Sequence, residues 1–179
     1  MWPFFLFMKN ITLQKIENDF LNEKKISLFV LRLDVIHPYI SGNKWFKLKY
    51  NLEEAKKQDK NTLLTFGGAY SNHIVATARA AEQYGFKSIG IIRGEELNEN
   101  DNPVLRFAKN CGMELHFISR EEYKNKSTST TLGVTDECYI LPEGGTNELA
   151  VKGCSEIISL IDIPFDYICC AVGTGGTIA

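Results

Sequence analysis

Three stretches of the 179-residue chain combine glycines with side chains able to do chemistry. In Ser41-Gly42-Asn43-Lys44-Trp45-Phe46-Lys47-Leu48-Lys49 a glycine precedes a helix start, and Lys44 falls in the first turn. The positive end of the helix dipole lowers the pKa of an amine there, and such a lysine suits a Schiff-base nucleophile. Lys47 lies one turn on and on a neighbouring face, where it can add charge to a phosphate near Lys44. The same segment also reads as a solvated basic face, a reading that Lys49, Lys56 and Lys57 support.

The loop Gly173-Thr174-Gly175-Gly176-Thr177 exposes several backbone N–H groups, a phosphate cradle in outline. A dinucleotide fingerprint needs glycine where Ile178 stands, and a P-loop needs a Lys-Ser or Lys-Thr that does not follow, so one small phosphate fits better than ATP or NAD. The alternative is a tight turn that binds nothing. In Gly67-Gly68-Ala69-Tyr70-Ser71-Asn72-His73, Ser71 is a good N-cap and its neighbours add an amide and an imidazole, a turn able to hold a carboxylate. The plainer reading is a capped helix with His73 as a surface or packing residue. Glu143-Gly144-Gly145-Thr146-Asn147 is one more glycine-rich loop. Together these segments suit pyridoxal 5'-phosphate and an amino acid, because a single site explains them better than separate coincidences.

The elements that must carry these loops alternate. The patterns predict strands over Ile26–Asp34, Thr62–Phe66, Lys87–Ile92, Met113–Ile118, Glu137–Leu141 and Tyr167–Val172. They predict helices over Asn43–Gln58, Ser71–Tyr84 (closed by Gly85), Asn102–Asn110, Ser119–Tyr123 and Asn147–Leu160, with Lys124–Thr131 a polar loop. Such alternation predicts an α/β fold: an open, mainly parallel sheet with helices on both faces, binding its ligand beyond the carboxyl ends of the strands.

Composition narrows the classes. The chain is 44% hydrophobic, enough for a core, and its net charge of -2 gives no field to hold nucleic acid. Met1–Met8 is apolar but far shorter than the about 20 residues of a membrane span and has no basic flank, so neither an anchor nor a signal peptide is expected. Five cysteines lack zinc-ligand spacing and read as inert buried thiols of a reducing compartment. Cys169 and Cys170 would face opposite sides of the last strand. No metal site is expected.

The motifs SGNKWFKLKYN, FGGAYSNH, PEGGTN and GTGGT, in this order, resemble the 1-aminocyclopropane-1-carboxylate deaminase and D-cysteine desulfhydrase family, pyridoxal-phosphate enzymes of the tryptophan synthase β-like fold type II. The resemblance runs from about Leu31 to Ala179. It implies that Lys44 carries the cofactor, that Asn72 bonds its ring hydroxyl, and that Gly173, Thr174, Gly175, Gly176 and Thr177 wrap its phosphate with Lys47. It further implies that Ser71, Asn72 and His73 hold the substrate, with Lys44 and Ser71 as catalytic residues. The reaction would take D-cysteine to pyruvate, ammonia and sulfide, or the cyclopropane amino acid to 2-oxobutanoate and ammonia. A cytoplasmic enzyme, homodimeric at full length, with a small amino-acid substrate and no nucleic-acid or membrane partner, is the family expectation.

Family members continue beyond the position of Ala179. The expectation is therefore an N-terminal part of a longer enzyme: an arm over 1–25, then 26–179, holding a small domain at about 45–160 and the start of the second half of the large domain at about 161–179. On this reading the fold is C-terminally incomplete. A non-catalytic module that binds pyridoxal phosphate or another phosphate ligand, or an inactive fragment, is the competing functional reading.

Overall fold

The computed structural model describes residues 11–98, 100, 102–125 and 136–179. The apolar segment 1–8 and most of the polar stretch 124–131 lie outside them. The chain opens with β1 (Leu13–Ile16), α1 (Asp19–Lys24) and β2 (Leu28–Leu31), the two strands pairing antiparallel. This ribbon stands apart from the main sheet, so the strand expected over Ile26–Asp34 forms only in its middle and does not open the parallel sheet. A 3-10 turn at Leu33–Val35 ends it.

The main body follows as α2 (Asn43–Lys57), β3 (Thr62–Gly68), α3 (Asn72–Tyr84), β4 (Lys87–Arg93), α4 (Pro103–Asn110), β5 (Met113–Ile118), α5 (Arg120–Lys124), β6 (Cys138–Leu141) and α6 (Glu148–Ser155). Four strands form one parallel sheet in the order β5-β4-β3-β6. The central strands β3 and β4 are largely buried on both sides, as a covered parallel sheet requires, while the edge strand β5 alternates Met113, Leu115 and Phe117 with Glu114 and His116. On one face Leu63 and Leu141 join Trp45, Leu48, Leu52, Ala76 and Ala80 from α2 and α3, while Ile92 and Met113 pack with Leu105 of α4. On the other, Leu64, Phe66 and Ile91 meet Tyr123 of α5.

Local signals explain the boundaries. Asn102 and Ser119 cap α4 and α5 through side-chain oxygens, and Gly85 closes α3 at φ 75°, a left-handed position that glycine adopts at little cost. The helix expected over Asn147–Leu160 is shorter. After Ser155 the bonds tighten to Glu156 N–H to the Gly153 carbonyl and Ile157 N–H to the Cys154 carbonyl, and the Ser155 and Ser159 hydroxyls donate back to the chain.

One expected element is absent. Residues 167–172 form no strand, because no described segment gives them a hydrogen-bonding edge, and Tyr167 is 89% exposed. Cys169 and Cys170 are consequently exposed, against the expectation of buried thiols, whereas Cys154 is buried. Among the described residues no helix is long and apolar enough to cross a membrane, and no His, Cys, Asp and Glu cluster could hold a metal ion.

Candidate active site

Two hollows meet at the start of α2. The smaller, about 170 Å³, is lined by Asn43, Lys44, Lys47 and Gly144 and by the loop residues Gly173, Thr174, Gly175 and Thr177. The larger is an open cleft of about 760 Å³ lined by Lys44, Gly67 to His73, Tyr39, Arg93 and Glu143. Lys44 lines both, so the lysine stands between the glycine loop and the Ser71-Asn72-His73 turn.

The entry to α2 is built from within. His37 Nδ1 accepts from the N–H groups of Tyr39 and Ile40 at 3.1 and 3.0 Å, and its ring stacks on Trp45 at 6.0 Å. An imidazole that accepts at Nδ1 is neutral there, and burial lowers its pKa. Gly42 then starts the helix at φ 61°, where a side chain would be strained. Further along, Asn51 is fully buried: its Nδ2 donates to the Lys47 carbonyl at 2.7 Å, and its Oδ1 accepts from Asn147 Nδ2 at 2.7 Å and Tyr139 Oη at 3.0 Å. Asn147 caps α6 at Ala150 N, so one side chain fixes α2 to β6 and to the Glu143–Asn147 loop. Lys49, paired with Glu156 at 2.8 Å beside Tyr50, adds a second tie between α2 and α6.

Lys44 Nζ donates to the Gly144 carbonyl at 3.2 Å, and Lys47 Nζ donates to the same oxygen at 3.3 Å and to Thr146 Oγ1 at 3.2 Å. Lys47 is only 2% exposed, which removes the reading of this helix face as a solvated basic stripe. The Lys44 amine is lowered to about 8, first by burial and then by the Lys47 charge. The sequence argument reached this direction through the helix dipole, whereas the causes in the structure are burial first and the Lys47 charge second. The Lys47 amine is lowered by burial as well.

The glycine loop is docked by side chains. Asn43 Nδ2 donates to Thr177 Oγ1 at 2.7 Å, and the Thr146 and Thr174 hydroxyls meet at 2.5 Å. A methyl group on Gly176 would stand 2.5 Å from Thr146 Cγ2. Thr146 thus touches Lys47, Thr174 and Gly176, a convergence that sequence reading of the PEGGTN loop did not assign.

At the other wall Ser71 caps α3, its Oγ accepting from the N–H groups of His73 and Ile74 at 3.2 and 3.4 Å. Gly67 allows this approach, since a Cβ there would lie 2.6 Å from Ile74 Cγ1. His73 is 2% exposed, with Nε2 at 2.9 Å from Thr65 Oγ1. Because the Thr65 hydroxyl donates to the Leu141 carbonyl at 3.0 Å, it accepts from His73, which fixes the proton on Nε2. Burial, then the Lys44 and Lys47 charges, push His73 down to about 3, so it is a neutral group under the cleft. Asn72 lines the cleft beside Ser71.

A parallel α/β sheet thus sets a desolvated amine between a glycine loop and a polar helix cap. The curated proteins it resembles carry enzyme names. The chain is 37% identical over 166 residues to the Thermotoga maritima protein "Putative 1-aminocyclopropane-1-carboxylate deaminase", covering 86% of this chain and 52% of that protein. It is 33% identical over 173 residues to the Arabidopsis thaliana "Bifunctional D-cysteine desulfhydrase/1-aminocyclopropane-1-carboxylate deaminase, mitochondrial", covering 85% and 43%. A crystal structure titled as an ACC deaminase homologue superimposes with a TM-score of 0.72 at 25% identity, covering 99% of this chain and 60% of that one. No family model matches the chain. By these likenesses the chain is similar to proteins named as 1-aminocyclopropane-1-carboxylate deaminases and D-cysteine desulfhydrases, and it spans about half the length of the curated relatives it matches.

Proposed function

We propose that this chain carries the lysine-bearing part of a pyridoxal-phosphate-dependent deaminase or lyase acting on a small amino acid, D-cysteine or 1-aminocyclopropane-1-carboxylate. The observation that carries the reading is the position of Lys44, shared by the hollow of the glycine loop and the cleft of the Ser71 turn.

The residues present fit the cofactor. Gly173, Thr174, Gly175 and Thr177, with the Lys47 cation behind them, suit an anionic phosphate. Lys44 suits the aldehyde, since an amine at about 8 keeps an appreciable neutral, nucleophilic fraction near pH 7. Asn72 lines the cleft at its α3 end and would be a polar side chain within the ring's compartment. Pyridoxal phosphate, when bound, supplies an electron sink that lets a bond at or near the substrate α-carbon break.

The chain's own groups then have distinct tasks. Lys44 Nζ would hold the cofactor, and as a desolvated amine it would also be the group placed to move a proton. Lys47 holds the phosphate end and keeps the Lys44 amine neutral more often. Ser71 and Asn72 orient the substrate, and His73, with its proton on Nε2, supports the turn from beneath. In this reading the β3 to β6 sheet with its helices is the small domain, and 161–179 starts the second half of a large domain in a longer, homodimeric, cytoplasmic enzyme.

The test is turnover. With pyridoxal phosphate added, the protein at its full coding length should release sulfide and pyruvate from D-cysteine, or 2-oxobutanoate from the cyclopropane amino acid. Neither product from a preparation that holds the cofactor contradicts the lyase reading and favours a binding module.

A further inference from the structure

We infer that Arg93 is the specificity-determining cation of the cleft, the side chain that selects substrates bearing a free carboxylate. This inference rests on the amino-acid-binding reading above and adds to it a residue outside the glycine loop and the Ser71 turn.

Among the described residues that line the large cleft, formal charges stand on Lys44, Arg93 and Glu143 alone. Lys44 is committed to the cofactor, and Glu143 repels an anion. His73, assigned to the carboxylate by family resemblance, is buried and neutral, so it offers no charge. The Ser71 turn can still donate its hydroxyl proton, since Ser71 Oγ is an acceptor in both of its bonds to α3, but it brings no formal charge to a carboxylate. A carboxylate entering this cleft gains the most from Arg93, whose planar fork can hold both oxygens at once.

The fold holds Arg93 in that place. It ends β4, directly opposite Gly68 in the parallel register, and Gly68 accepts the Ser71 N–H through its carbonyl at 3.1 Å. The absence of a side chain at Gly68 opens the path: a Cβ there would sit 3.6 Å from Arg93 Nη2. Behind it the guanidinium carbon lies 5.6 Å from the centre of the buried Tyr123 ring, a cation–π platform. Among the described residues Arg93 makes no ion pair, so its charge is available to a ligand, whereas Arg79 and Arg120 are each spent on a glutamate.

The experiment is calorimetric titration of D-alanine and of D-alaninamide into the full chain with pyridoxal phosphate, for wild type, Arg93→Gln, Arg93→Lys and the remote control Arg120→Gln. Wild type and the control should prefer the acid to the amide. Arg93→Gln should lose about tenfold or more of its affinity for the acid and little for the amide, the scale of a charge-assisted bond, while Arg93→Lys keeps part of the preference. Added salt should weaken acid binding in wild type more than in Arg93→Gln. An unchanged acid-to-amide ratio in Arg93→Gln, with normal visible absorbance from the lysine-bound cofactor, overturns the role of Arg93 and leaves the functional reading standing. If wild type shows neither the absorbance nor a preference for the acid, both fall.

Discussion

The amines of Lys44 and Lys47 converge on a single acceptor, the Gly144 carbonyl oxygen, at 3.2 and 3.3 Å. Two cations this close, with one of them almost wholly buried, each disfavour the other's proton. Lys47→Met removes the neighbouring charge and should move the Lys44 midpoint upward from about 8 toward the ordinary lysine value, with burial still holding it below. The pH dependence of Lys44 acylation, followed by peptide mass spectrometry, reads this directly. An unmoved midpoint would contradict the coupling.

His73 sets the acid side of stability. Its folded pKa of about 3 lies below the unfolded value near 6.5, so between those values the unfolded chain binds a proton that the folded chain does not. Its contribution is constant above that upper value and falls as pH drops, by about 1.4 kcal/mol per pH unit for one such group. His37, also lowered, acts in the same direction. Denaturant midpoints measured from pH 7 to 5 should decline in wild type and decline less in His73→Leu relative to its own value at pH 7. Parallel curves would remove His73 from this role.

Gly153 is a packing requirement. A methyl group there would stand 2.0 Å from the Phe46 carbonyl oxygen of α2, a backbone atom that cannot swing aside. Gly153→Ala should cost about 1–3 kcal/mol or more through forced separation of α6 from α2. Because Phe46 lies between Lys44 and Lys47, cofactor affinity should fall with it. Urea unfolding and a cofactor titration check the pair, and an alanine variant as stable as wild type would count against the close approach.

Asn51 anchors the loop that both lysines touch. Asn51→Leu strands the Asn147 amide and the Tyr139 hydroxyl, at about 1–3 kcal/mol for each buried group left without a partner. Hydrogen exchange at Gly145, whose N–H donates to the Pro142 carbonyl, should quicken in this variant more than exchange in β4. Equal protection at both places would show that Asn51 does not hold the loop.

Much of this arrangement was legible in the sequence, for reasons that differ by element. Thr62–Gly68, Lys87–Arg93 and Met113–Ile118 read clearly because apolar runs between turn signals are what a covered parallel sheet demands. Ser71 announced its helix through cap chemistry, and the structure shows Asn102 and Ser119 capping theirs in the same way. The strand expected at Tyr167–Val172 has the composition of a strand but no partner edge, and a ladder is a property of two segments rather than one. β1 was missed because Leu13–Ile16 is polar at two of its four positions and gains its state from pairing with β2. Lys44 was readable from its place after Gly42, yet Asn51 and Thr146 were not, since their importance lies in contacts 96 and 28 residues away with Asn147 and Thr174. The burial of Lys47 overturned its reading as part of a solvated face, and the burial of His73 chose packing over surface, because side-chain charge cannot reveal which atoms later surround it.

The central claim, that one particular amine carries the cofactor, is tested most directly by borohydride reduction of the pyridoxal-phosphate-treated chain followed by peptide mapping. The predicted result is a single pyridoxyl label on Lys44, lost together with the visible absorbance in Lys44→Ala. A label on Lys47, Lys49 or an exposed lysine, or absorbance that persists at full strength in Lys44→Ala, would contradict it.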